Sequence, residues 1–201
     1  MEIASVFENR VNKALLYTFM PLAFAVLTYL GSQVSIYLPF TPVPITLQVL
    51  TVILAGLILG PRLGVLSQVE YVMAGVLGAP VFAGGKSGIV ALAGPTGGYI
   101  VGFIFAVLVT GAVYRVYGTR NNWGMFLSAA SGVITIYFFG ATWLAILFVL
   151  SGLSIFESIG KSIMLGVVPF IGADSLKIIV AAIFVRALVS ESWPGKVSRP
   201  R

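Results

Sequence analysis

The sequence predicts an all-α integral membrane protein, with six transmembrane helices in a compact bundle and both termini cytoplasmic. Three observations predict it. Only 9% of the 201 residues are charged, against roughly 25% in a soluble domain, and mean hydropathy is +1.06. Apolar segments of membrane length alternate with Gly-, Pro- or charge-rich breaks. The basic residues then divide unequally between the two sides that those segments define.

Met1 to Lys13 reads as a cytoplasmic surface segment, 14–189 as the membrane domain and 190–201 as a cytoplasmic tail. No cleavable signal peptide is expected, because the apolar run after Lys13 is long enough to span. Ala14 to Ile36 is the first span, about 23 residues, with Pro21 set to kink it. Pro39, Pro42 and Pro44 then predict a stiff, extended loop. Ile45 to Leu59 is a short second span, Gly60-Pro61-Arg62 a tight turn, and Leu63 to Leu77 the third span, stopped by Gly78-Ala79-Pro80. Residues 81–95 form a long Gly-rich connection; irregular backbone at the membrane is tolerated where protein or water covers it.

Thr96 to Tyr117 is the fourth span, with Gly98 and Gly102 spaced for close helix contact. Trp123 to Leu150 is the fifth, long enough to tilt. Ser151 to Val168 is amphipathic, with Glu157 and Lys161 four apart, and reads as an interfacial or partly inserted helix. Pro169 and Gly172 then place Ala173 or Asp174 at the N-cap of a sixth span running to Val189. In this arrangement nine basic residues, from Arg10 to Arg201, fall on the side of the termini. Lys86, Lys161 and Lys177 fall on the other. That bias puts the termini in the cytoplasm and leaves the three outer lysines without a topological reason.

The chain has no Cys and no His, which removes disulfides, thiolate metal sites and the commonest general base. The net charge of +6 follows topology and does not suggest nucleic acid. Gly85-Lys86-Ser87 resembles the end of a P-loop, but Pro80 stands where the motif needs its first Gly. Asp174 and Lys177 are the strongest candidates for a site, since residues three apart share a helix face and charges inside a membrane segment usually face the protein interior. The plainer alternative is a capping Asp and a snorkelling Lys. Gln48, Gln68, Tyr71 and Tyr99 either contact a ligand or tie helices together. Glu70, in the third span, must be neutral or paired if buried.

Five blocks carry a family resemblance: Phe40-Thr41-Pro42-Val43-Pro44-Ile45-Thr46-Leu47-Gln48; Leu59-Gly60-Pro61-Arg62-Leu63-Gly64; Pro80-Val81-Phe82-Ala83-Gly84-Gly85; Gly94-Pro95-Thr96-Gly97-Gly98-Tyr99; and Pro169-Phe170-Ile171-Gly172-Ala173-Asp174-Ser175-Leu176-Lys177. They stand in order between about Ala25 and Arg186, and the whole resembles the BioY family of biotin-capture (S) components of energy-coupling-factor (ECF) transporters. The resemblance implies six transmembrane helices, a multi-pass protein of a prokaryotic plasma membrane, and an outward-facing biotin pocket. It also implies a scaffold subunit and two ATPase subunits as partners, ATP hydrolysis in those partners only, and no cofactor beyond the ligand. Tyr29, where a small residue is common, Ala173 before the acid, and Glu70 depart from the family pattern.

Biotin offers a ureido edge, an apolar thioether ring and a carboxylate. The resemblance thus implies Asp174, Gln48 and Tyr71 for the ureido groups, and Phe82 and Tyr99 as walls. Lys177, Lys86 and the N–H groups of Gly97 and Gly98 are left for the carboxylate. Partner docking is expected on the small-residue side of the first helix, Ala25, Thr28 and Ser32. The 38–44 and 81–95 loops are expected to gate the pocket. Two other classes compete: a self-sufficient secondary carrier of a small carboxylate vitamin, and an intramembrane enzyme. The second lacks a converging acid, base and nucleophile.

Overall fold

Large apolar residues fill the interior together with small and polar ones, and many more large apolar residues face outward, as suits helices set in lipid. The computed structural model describes residues 2–118 and 122–191, with side chains from 17 to 118 and 123 to 188. Most of the tail expected at 190–201 therefore lies outside the described residues. Helix α1 (Glu2–Gln33) runs through Pro21 without a break and already includes most of the segment expected as surface. A two-residue antiparallel ladder follows, β1 (Ser35–Ile36) against β2 (Ile45–Thr46). The Pro-rich stretch is thus the tip of a hairpin, not an extended strap. Proline has no N–H to give a ladder, so the pairing falls outside Pro39, Pro42 and Pro44.

Helix α2 (Gln48–Val76) contains two of the expected spans. Gly60 (φ 75°) breaks it, a left-handed conformation that favours glycine, and Pro61 restarts it. In an unbroken helix residues 48 and 71 would lie about 35 Å apart. Here the Gln48 amide donates to the Tyr71 hydroxyl. The halves therefore fold back on each other, and a Cβ at Gly64 would lie 3.2 Å from the Ala55 carbonyl oxygen. Helix α3 (Gly88–Ala93) gives the Gly-rich connection a turn of order.

Helix α4 (Gly97–Val113) ends in a π-helical turn, Tyr114–Gly118, and packs on α5 (Asn122–Leu150). A Cβ at Gly98 would come within 2.3 Å of Trp143 Cβ, and one at Gly102 within 3.1 Å of Phe139 Cβ, so this spacing serves close contact as expected. Helix α6 (Ile155–Gly166) starts at a capping box: Ser154 N and Oγ donate to Glu157 Oε2, and the Glu157 N–H donates to Ser154 Oγ. Ser158, Ser162 and Gly166, four apart, are its buried face toward α5. Phe156, Ile159, Ile163 and Met164 are exposed, as suits lipid. Lys161 lies over the Phe148 ring instead of bridging to Glu157.

A 3-10 turn (Val168–Phe170) leads into α7 (Ile171–Glu191). The N-cap expected at Ala173 or Asp174 is therefore corrected: α7 already starts at Ile171, and Asp174 sits inside its first turn.

Among the described residues, four helical segments are long and apolar enough to cross a bilayer: Gln48–Val76, Gly97–Gly118, Trp123–Leu150 and Ile155–Leu188. The protein is a mostly helical, multi-pass membrane protein. One core cluster joins α1, α2, α4 and α5 through Phe24, Val52, Tyr71, Phe103 and Ile136. A second joins α2, α5 and α7 through Ile53, Leu57, Val133 and Val185.

The expected docking stripe is corrected as well. Ala25, Thr28 and Ser32 face inward. Thr28 Oγ1 donates to the Phe24 carbonyl and accepts from Gln68 Nε2 and Thr51 Oγ1. Small residues four apart let α1 approach α2 within the chain, and a bulky group there would open that seam.

Candidate functional site

The two core clusters leave a narrow cavity of about 50 Å³ between the β2–α2 junction, α4, α5 and the head of α7. Its apolar walls are Val43, Val49, Ile100, Phe103, Ile136 and Phe170. Its polar groups stand at two places.

At the first, Lys177 Nζ donates to Asp174 Oδ1 at 2.6 Å, and the Tyr137 hydroxyl donates to Asp174 Oδ2 at 2.7 Å. Asp174 and Lys177 are 2% and 7% exposed, so this is a buried ion pair and not a cap with a snorkelling lysine. The i, i+3 spacing on α7 makes the pair, and α5 delivers the phenol. Both carboxylate oxygens thus hold a donor, which a buried charge requires.

At the second, Gln48 and Thr46 line the cavity from the β2–α2 junction, and Thr46 Oγ1 donates to Gln48 Oε1 at 3.3 Å. Tyr99 adds a ring wall, and its hydroxyl donates to the Gly166 carbonyl at 2.8 Å, tying the start of α4 to the end of α6.

Of the residues expected at the site, Asp174, Lys177, Gln48 and Tyr99 line the cavity together. Tyr71 stands behind Gln48, and Phe82 stands behind Tyr71, edge-on at 5.7 Å between ring centroids. Both are buried and neither lines the cavity. Lys86 is exposed in the Phe82–Lys86 turn. Gly97 and Gly98 lie outside it too. The Gly97 N–H donates to the Gly94 carbonyl, and Gly98 abuts Trp143. Their glycine character serves packing, so the anion-binding reading of this helix start does not hold for the Gly97 N–H.

Sequence reasoning missed Tyr137, Thr46 and Phe170. A phenol within an apolar span needs a hydrogen-bond partner, and that was the available signal for Tyr137.

The cavity is small beside the roughly 300 Å³ or more of a typical ligand pocket. Loop 37–44, which supplies Val43 and Pro44 to it, is latched: Thr41 Oγ1 donates to the Leu165 carbonyl at 2.6 Å. Thr41→Val removes that bond, about 1 kcal/mol. Amide exchange in residues 38–43 is expected to rise about fivefold in the variant. Unchanged exchange would mean that the prolines alone hold the loop.

Residues 10–192 match the profile of the BioY family. The chain is 41% identical over 165 residues to the "Probable biotin transporter BioY" of Pyrococcus horikoshii, covering 82% of this chain and 91% of that one. It is 38% identical over 166 residues to the biotin transporter BioY of Thermotoga maritima, covering 82% and 90%. Its fold matches the crystal structure of an S-component for biotin from an ECF-type ABC transporter, with a TM-score of 0.76 and 27% identity over 89% of this chain and 93% of that one.

Proposed function

The chain belongs to the BioY family, and on that premise we propose that it captures biotin for an ECF-type transporter. The observation that carries this reading within the molecule is the buried Asp174–Lys177–Tyr137 cluster, which lines one cavity with Gln48, Thr46 and apolar side chains. An ion pair withheld from water is expensive unless it is used or well satisfied, and here it borders a cavity. Such a cavity suits a small ligand with an apolar ring and polar ends.

In this reading six transmembrane helices cross a prokaryotic plasma membrane with both termini inside. The fold-back of α2 at Gly60 supports the count, and the basic-residue bias supports the orientation. Asp174, Lys177, Tyr137, Gln48, Thr46 and Tyr99 contact the ligand, and Tyr71 and Phe82 back them. Lys86, Gly97 and Gly98 take no direct part. The protein needs no cofactor. A transmembrane scaffold and two ATPase subunits supply the energy, and the ATP chemistry resides in them.

Calorimetry of the purified chain in detergent tests this. Saturable, one-site binding of biotin is the expected result, with no comparable heat from a vitamin lacking the ureido ring. Absence of biotin binding by a folded chain overturns the assignment.

A further inference from the structure

The amide of a glutamine is told apart end from end by the partners it keeps, and around Gln48 those partners form a one-way chain. Its last member is the Val81 main-chain carbonyl, which can only accept. The Tyr71 hydroxyl lies 3.0 Å from it and gives its single hydrogen there. Having donated, that hydroxyl can only accept, so the group 2.5 Å away on Gln48 must be the amide nitrogen. Gln48 Oε1 is thereby left on the side of Thr46, which lines the cavity as Tyr71 does not. Reversing the amide would force Tyr71 to withdraw its hydrogen from Val81.

The Gln48–Tyr71 link is buried, with Gln48 4% and Tyr71 2% exposed, so neither side chain trades its partner for bulk water, while Val81 at the end of the chain is half-buried. Ser32 Oγ lies 2.6 Å from the Tyr29 carbonyl and 2.7 Å from the Val81 carbonyl, shares its single hydrogen between them, and keeps Val81 against α1.

We propose that Tyr71 is a positioning residue that turns the Gln48 carbonyl toward the cavity, so that this wall selects a ligand presenting an N–H donor. At the other polar place the Asp174 carboxylate is an acceptor and the Lys177 ammonium beside it a donor, so the two places together suit a group that carries both N–H and C=O: a cyclic urea or lactam edge. The inference rests on the proposed capture of biotin, whose only N–H groups are those of its ureido ring. A carboxylate end, which has no hydrogen to give at neutral pH, is refused at Gln48.

The test measures affinities for biotin and for its two ureido N-methyl derivatives, in the wild type, Tyr71→Phe, Gln48→Leu and the double variant. The wild type is expected to bind at least one N-methyl derivative about 100-fold more weakly than biotin, because the wall is built to accept that hydrogen. Tyr71→Phe frees the amide to reverse. It should lower biotin affinity about tenfold and shrink the discrimination to within about threefold. In the Gln48→Leu background the same change should have no further effect. A retained wild-type ratio in Tyr71→Phe, or additive losses in the double variant, would overturn the proposal. A merely structural role of Tyr71 would weaken both ligands equally and leave the ratio intact.

Side-chain amide exchange at Gln48, read by NMR on the wild type without ligand, separates the two readings. If biotin does not bind but one Gln48 amide hydrogen is protected, the capture reading fails and the orientation stands. Exchange of both hydrogens at the free rate overturns the orientation itself.

Discussion

Asp174→Ala is expected to destabilise the folded chain by about 3–5 kcal/mol and to abolish biotin binding. The reason is what it leaves behind. Lys177 is buried, and its ammonium donates to Asp174 Oδ1 as its only hydrogen bond among the described residues. Without the carboxylate that charge has no partner in a low-dielectric setting. Asp174→Asn keeps the shape and an acceptor for the Tyr137 hydroxyl, so its loss in stability should be smaller. Biotin affinity should still fall by about 2 kcal/mol or more, as it should in Lys177→Ala. The paired change Asp174→Leu with Lys177→Met separates stability from binding. Replacing both members of a buried ion pair by apolar residues of similar volume is often neutral or stabilising. Thermal unfolding should therefore recover in the double variant while calorimetry still shows no binding. Unchanged affinity in both Asp174→Asn and Lys177→Ala, with folding intact, would remove this pair from the site.

The pair was legible because it is local: two residues three apart on one helix carry their geometry in the sequence. The turn at Gly60-Pro61 was legible for a similar reason, since few residues besides glycine hold φ 75° and proline restarts a helix without needing a donor. Tyr137 was not, because its meaning depends on how α5 lies against α7, and no spacing within α5 encodes that. Small residues mislead for a different reason. Gly97 and Gly98 at a helix start read alike whether an anion or another chain segment approaches, and only Leu92 and Trp143 decide it. Thr28 and Ser32, four apart, permit a close helix neighbour without saying which. The neighbour proves to be the chain's own α2, because Gln68 and Thr51 supply the hydrogen-bond partners for Thr28.

Reconstituted alone in lipid vesicles, the 201-residue chain is expected to bind biotin without concentrating it. A binding site equilibrates its ligand, and accumulation needs a second source of free energy. ATP is not available to this chain directly. Gly85-Lys86-Ser87 belongs to the Phe82–Lys86 turn and leads into the six-residue α3, not into the strand-to-helix setting of a P-loop. Ion coupling is the remaining route, and it leaves acids at membrane depth. Asp174 is a poor carrier because both of its oxygens are held by Lys177 and Tyr137. Glu70 is the better candidate. It is half-buried about 15 Å along the second half of α2 from Gly60, and its Oε2 is buried with no hydrogen-bond partner among the described residues. Glu70→Gln keeps the size and removes the titrating proton. With the scaffold and ATPase subunits present, that variant should still support concentrative uptake of labelled biotin. The wild type without them should reach only the outside concentration, with or without a proton gradient. If the lone chain instead accumulates biotin, and does so only with Glu70 intact and a proton gradient imposed, then it is a self-sufficient secondary carrier and Glu70 is its coupling site.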